Sequence, residues 1–82
     1  MTEQFQTTLE VDAQGLDCPM PLLKAKQAIN RMDIGQCVRV LATDPGSERD
    51  FATFAQQSGH TLLHSDNSHG RFEFILMKTD TR

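Results

Sequence analysis

Residues 7–43 read TTLEVDAQGLDCPMPLLKAKQAINRMDIGQCVRVLAT. The first six alternate: Leu9 and Val11 fall to one side, and Thr8, Glu10 and Asp12 to the other. That period of two is the pattern of a half-buried strand, and Gly15 breaks it. Over residues 19–32 the period becomes helical. Leu22, Ala25, Ile29 and Met32 form one face with Leu23 beside them, while Lys24, Lys26, Gln27 and Arg31 fall outside the stripe. Pro19 suits the first helical position, and Pro21 still lies among residues with no intrahelical N–H partner. Gly35 ends the segment. Alternation returns over 36–43, with Val38, Val40 and Ala42 facing one way and Cys37, Arg39 and Leu41 the other. A strand–helix–strand unit predicts parallel strands joined by a right-handed crossover.

Downstream, Asp44-Pro45-Gly46-Ser47 carries helix-start signals. Asp44 before Pro45 is one candidate cap, and Ser47 with Asp50 three residues on is another. Phe51, Phe54, Ala55 and Ser58 have helical spacing, and Gly59 supplies the stop. Residues 60–65 read as a third strand, Asp66-Asn67-Ser68-His69-Gly70 as a turn, and 71–78 as a fourth strand with Phe72, Phe74 and Leu76 on one face. Residues 79–82 read as a loose tail. The order β-α-β-α-β-β predicts an α/β fold, a two-layer sandwich. Its four-stranded mixed sheet closes with a hairpin and carries both helices on one face. A ferredoxin-like domain needs a different order. The other face (Thr8, Glu10, Arg39, Glu73) is expected to meet water.

Eighty-two residues suit one domain, 1–82, with a small core. A net charge of −3 argues against phosphate-backbone binding, so no nucleic-acid partner is expected. Met1-Thr2-Glu3-Gln4-Phe5 has neither the basic start nor the apolar stretch of a targeting signal. Phe74-Ile75-Leu76-Met77 is the longest apolar run near the end, too short for a membrane span. The expectation is a cytoplasmic monomer with two free thiols.

The same pattern singles out Cys18, in Cys18-Pro19-Met20-Pro21. Parallel strands place both helix starts along one sheet edge, where sites of open α/β sheets form, so Cys18 and the 44–49 loop should be neighbours. A helix start offers unpaired N–H groups and partial positive charge. The Cys18 thiol is therefore expected to ionise more easily than usual. Asp17 opposes this, and Arg49 is the nearest candidate cation. Cys37 starts the second strand, and six residues at about 3.3 Å each place it roughly 20 Å from that edge. A disulfide needs Cα atoms within about 7 Å, so no Cys18–Cys37 bridge is expected.

The other chemistry-bearing residues have simpler readings. His60 and His64 share a face of an ideal strand, about 13 Å apart, too far for one metal. Neither a metal site nor a cofactor is expected. The phenylalanines read as core, and Lys24, Lys26 and Arg31 as a solvated helix face that could dock an acidic partner. Met20, a flexible thioether beside the thiol, suits contact with a partner. A lone thiol with no general base beside it points to a carrier rather than a hydrolase. The competing reading is a non-enzymatic regulatory adaptor that docks a protein partner through the Cys18 edge.

Gly15-Leu16-Asp17-Cys18-Pro19-Met20-Pro21, then Gly35, Thr43-Asp44-Pro45, Asp50 and Ser58-Gly59-His60, resembles the TusA/SirA-like sulfur carriers. The likeness runs from about Leu9 to Lys78. It implies a two-layer β-α-β-α-β-β sandwich whose motif cysteine, Cys18, takes sulfane sulfur from a cysteine desulfurase or rhodanese-type donor. The sulfur would be held as a persulfide and relayed to an acceptor protein. The outlets it implies are tRNA thiolation, molybdenum cofactor maturation and sulfur oxidation. Pro19 and Pro21 would shape the turn. Asp44-Pro45 matches the second-helix turn, and no role carries over to Cys37.

Overall fold

The computed structural model describes residues 7–79. The residues read for a targeting signal, and the expected tail beyond Thr79, lie outside the described residues. The element order is β1 (Leu9–Ala13), α1 (Met20–Asn30), β2 (Cys37–Ala42), α2 (Ser47–Ser58), β3 (Thr61–Ser68) and β4 (Arg71–Met77). The strands form one sheet in the order β1-β2-β4-β3. β1 and β2 are parallel, in register from Leu9 opposite Val38 to Ala13 opposite Ala42. β4 runs antiparallel to both β2 and β3. The mixed sheet and closing hairpin are those the alternation predicted.

The core lies between sheet and helices. Val38, Val40 and Ala42 of β2 stand opposite Leu76, Phe74 and Phe72 of β4, and all six are buried. Ala25, Ala28, Ile29 and Met32 close this layer from the α1 side, and Phe51 from α2. Leu23 departs from the expected stripe and is 42% exposed; Pro21 and Ala28 are buried on α1 instead. α1 ends two residues earlier than its apolar period. Arg31 and Met32 instead donate to Ala28 and Ile29 carbonyls in a tightened last turn. α2 ends at Gly59, which takes the left-handed conformation at φ 86° and donates to the Ala55 carbonyl.

The hairpin departs from its sequence reading. β3 continues through Asp66, Asn67 and Ser68, and the turn is only His69-Gly70, with φ of 55° and 83°. Positive φ at both central residues is the type I′ pattern, whose twist matches the strands. β3 is an edge strand, so its polar residues can face water while their backbone pairs with β4. Thr79, read as tail, is tied down: its N–H donates to His60 Nδ1 and its hydroxyl to the Gly59 carbonyl.

The uncovered sheet face is not simply wet. Ile75, cross-strand from Arg39 and His64, has no exposed surface, and Cys37 is 7% exposed. Arg39 bonds both Glu10 and Glu73, and long side chains anchored this way cover apolar surface with their stems. The Glu73 side chain is 15% exposed. Arg39→Met would leave a half-buried carboxylate without its cation, at an expected cost of about 1–2 kcal/mol. A lowered urea midpoint at unchanged slope would register it.

Candidate functional site

The β1–α1 loop and the start of α2 meet as the parallel strands require. The Gly15 N–H donates to Thr43 Oγ1 at 2.9 Å. The Cys18 side chain is exposed, and its Sγ donates to Asp50 Oδ2 at 2.5 Å. A Cβ on Gly46 would lie 3.9 Å from the Cys18 Cβ and 3.1 Å from Asp44 Oδ2, so the α2 start packs directly behind the thiol. The Cys18–Pro19 peptide is cis. Pro19 takes the N-cap position of α1, one place earlier than expected, and Pro21 the second helical position.

Neither expected cap of α2 has the predicted form. Gly46 is the N-cap residue. Asp44 acts just upstream, accepting the Gly46 N–H at Oδ2 and the Ser47 N–H at its carbonyl. Ser47 is the first residue of the helix, 2% exposed, and its Oγ has no hydrogen-bond partner among the described residues. Asp50 does not serve a capping box; its carboxylate takes the thiol. Of the residues predicted as partner contacts, Met20, Lys24 and Arg49 are all exposed. A groove between the helices, lined by Leu22, Lys26, Arg49, Asp50, Thr53 and Phe54, shares Asp50 with the thiol.

The thiol's ionisation runs opposite to expectation. The hydrogen bond to Asp50 raises the Cys18 pKa above its ordinary value, partial desolvation adds to this, and the Asp50 and Asp44 charges push the same way. Arg49 opposes them and is outweighed. The helix start cannot compensate because few of its donors are free. Pro19 and Pro21 have no N–H. The Met20 N–H bonds the Asp17 carbonyl and the Leu23 N–H the Pro19 carbonyl. A full charge at hydrogen-bond distance outweighs about half a charge spread over a helix end. Alkylation of Cys18 by iodoacetamide should therefore be slow at neutral pH. It should still be accelerating where an ordinary thiol has reached its plateau, because only the thiolate reacts.

Both cysteines are free thiols. Cys37 begins β2 at the sheet end opposite the Ala13–Ala42 pair that leads into the site, and burial raises its pKa. The histidines do not share a face. A register shift between Leu62 and His64 turns His64 to the uncovered side, 3.4 Å from Glu73. His60 precedes β3 and stacks obliquely on Phe54 of α2, with ring centroids 5.8 Å apart. Burial and Lys78 lower its pKa.

Asp50 is the site residue that sequence reasoning passed over. Its spacing from Ser47 suggested a cap. The available signal was topological: two helix starts on one edge make any acid in the first turn of α2 a candidate neighbour of the thiol.

The profile of the family described as Sulfurtransferase TusA matches residues 9–78, a span holding both the Cys18 turn and Asp50. The chain belongs to the TusA family. Among curated members, the Sulfur carrier protein TusA of Allochromatium vinosum is 49% identical over 70 residues, 85% of this chain and 92% of its own. A relative from Neisseria meningitidis serogroup A is 42% identical over 66 residues, 80% of this chain and 89% of its own. The crystal structure of a SirA-like protein from Desulfitobacterium hafniense shares the fold. Its TM-score is 0.76 at 24% identity, covering 89% of this chain and 100% of that one. The TusA fold thus includes the four-stranded mixed sheet and two helices. Among the described residues, no helix is long and apolar enough to cross a membrane.

Proposed function

We propose that this TusA-family chain is a sulfur carrier acting through Cys18. A cysteine desulfurase or rhodanese-type donor presents a sulfane sulfur. Cys18 takes it as a persulfide and passes it to an acceptor protein, in tRNA thiolation, molybdenum cofactor maturation or sulfur metabolism. The observation that carries this reading is the exposed Cys18 thiol at the shared edge where β1 and β2 end and both helices begin. A thiol in that position can enter two partner clefts in turn. The exchange follows thiol–disulfide chemistry, in which an attacking thiolate forms one S–S bond as another breaks, so the protein needs no cofactor or metal of its own.

Met20 and Leu23 are 43% and 42% exposed, and Lys24 and Arg49 are exposed as well. Met20, Lys24 and Arg49 are assigned to partner contact. The chain is read as a single domain, 1–82, working as a cytoplasmic monomer. The test is incubation with a cysteine desulfurase and cysteine, followed by intact and peptide mass. A gain of about 32 Da on the Cys18 peptide, one sulfur at the persulfide level, is expected; a chain that stays at its starting mass overturns the reading.

A further inference from the structure

We propose that Asp50 sets how weakly Cys18 holds its sulfur, keeping the empty thiol protonated and opposing the anion of the loaded persulfide. This rests on the carrier reading above. Asp50 Oδ2 accepts the Cys18 thiol at 2.5 Å, a bond available only while the sulfur bears a proton. The groups facing the thiol are few. Asp50, Asp44 and Arg49 act on it from the start of α2 and the loop before it. Asp17 precedes it in the chain, and the first turn of α1 holds no acidic residue. Negative charge therefore predominates around Cys18.

Loading changes what Asp50 meets. At neutral pH a donor persulfide R–S–S⁻ reacts with the Cys18 thiol to give the Cys18 persulfide anion and R–SH. The new bond joins Cys18 Sγ to the terminal sulfur as the donor's S–S bond breaks. The Cys18 sulfur rises from the thiol to the persulfide level, and the donor's sulfur falls by the same amount. The thiol proton leaves by way of Asp50 Oδ2 and ends on the released R–S⁻. A neutral group has become an anion, and the hydrogen bond to Asp50 has gone. The outer sulfur lies one bond of about 2 Å beyond Sγ, so it stays within roughly 5 Å of the carboxylate whichever way it turns. Like charges at that separation repel even in water. Asp50 thus penalises the loaded state and favours release to the next protein. A carrier that must give its sulfur away is served by this, whereas one that stores sulfur is not.

The experiment equilibrates the full chain with glutathione persulfide and glutathione at set ratios, and reads the loaded fraction from the mass of the Cys18 peptide. Asp50→Asn removes the charge and keeps the shape. Asp50→Ser is the second variant, should the first fail to fold by circular dichroism. Glu48→Gln removes an exposed carboxylate on the same helix as a control. The glutathione excess needed to strip half the sulfur is expected to rise about fivefold or more for either Asp50 variant. Glu48→Gln should match the wild type. The alkylation–pH profile of either Asp50 variant should also move to lower pH. Equal loading of the Asp50 variants and the wild type overturns the inference alone. A wild-type chain that loads at no ratio overturns the carrier reading and this inference with it.

Discussion

Cys18→Ser should abolish sulfur loading, whereas Cys37→Ser should still gain about 32 Da. The first expectation follows from the element. Serine reproduces the shape of cysteine, but its hydroxyl neither ionises near neutral pH nor forms a stable bond to sulfane sulfur. Cys18 is exposed, and its side chain contributes nothing to the core. The replacement should therefore alter stability by less than about 0.5 kcal/mol, so loss of loading cannot be ascribed to loss of fold. The second expectation follows from position. Cys37 is 7% exposed on the far end of β2, and its thiol is further suppressed by burial. Its serine variant should lose about 1–3 kcal/mol from a buried hydroxyl yet keep the reactive edge intact. Mass spectrometry of both variants after desulfurase treatment separates the two. Sulfur retained by Cys18→Ser, or lost only in Cys37→Ser, would move the chemistry away from the edge.

Much of this architecture was legible because the signals were periodic. Val38, Val40 and Ala42 alternate with Cys37, Arg39 and Leu41, and the sheet keeps them on opposite faces. Parallel β1 and β2 then forced Cys18 and the start of α2 together. What was not legible depends on contacts rather than periods. The bulge between Leu62 and His64 leaves no mark in the sequence, yet it puts His60 and His64 on different faces. Asp66, Asn67 and Ser68 are turn-formers by propensity; pairing with Glu73, Phe72 and Arg71 overrides that. The thiol's ionisation was misjudged for a related reason. Helix position alone favours the thiolate, but the donors that would stabilise it are removed by two prolines or occupied by backbone carbonyls. The deciding charge comes from Asp50, thirty-two residues away.

Phe51→Ala should bring the folded state close to collapse. Phe51 has no exposed surface and stacks on Phe74 of β4, with centroids 4.3 Å apart and planes 14° from parallel. Phe74 in turn lies 6.3 Å from Phe72, so one column of rings joins α2 to the sheet. Truncating a buried phenylalanine costs about 3–5 kcal/mol through lost transfer energy and the cavity left behind. At roughly 0.05–0.15 kcal/mol per residue, a chain this size has about 4–12 kcal/mol in total. The melting temperature should fall by more than about 12 °C, at 4–8 °C for each kcal/mol. Phe54→Ala should cost less, because Phe54 is only partly buried at the edge of the core. The loss should also reach the thiol. Asp50 precedes Phe51 on α2, so the seating of that ring fixes where the carboxylate meets Cys18. As α2 loosens, Cys18 should be alkylated faster at neutral pH, at temperatures where the sheet is still folded. An unchanged melting temperature, or a destabilised chain whose thiol stays as slow as the wild type, would break this link between the ring column and the sulfur site.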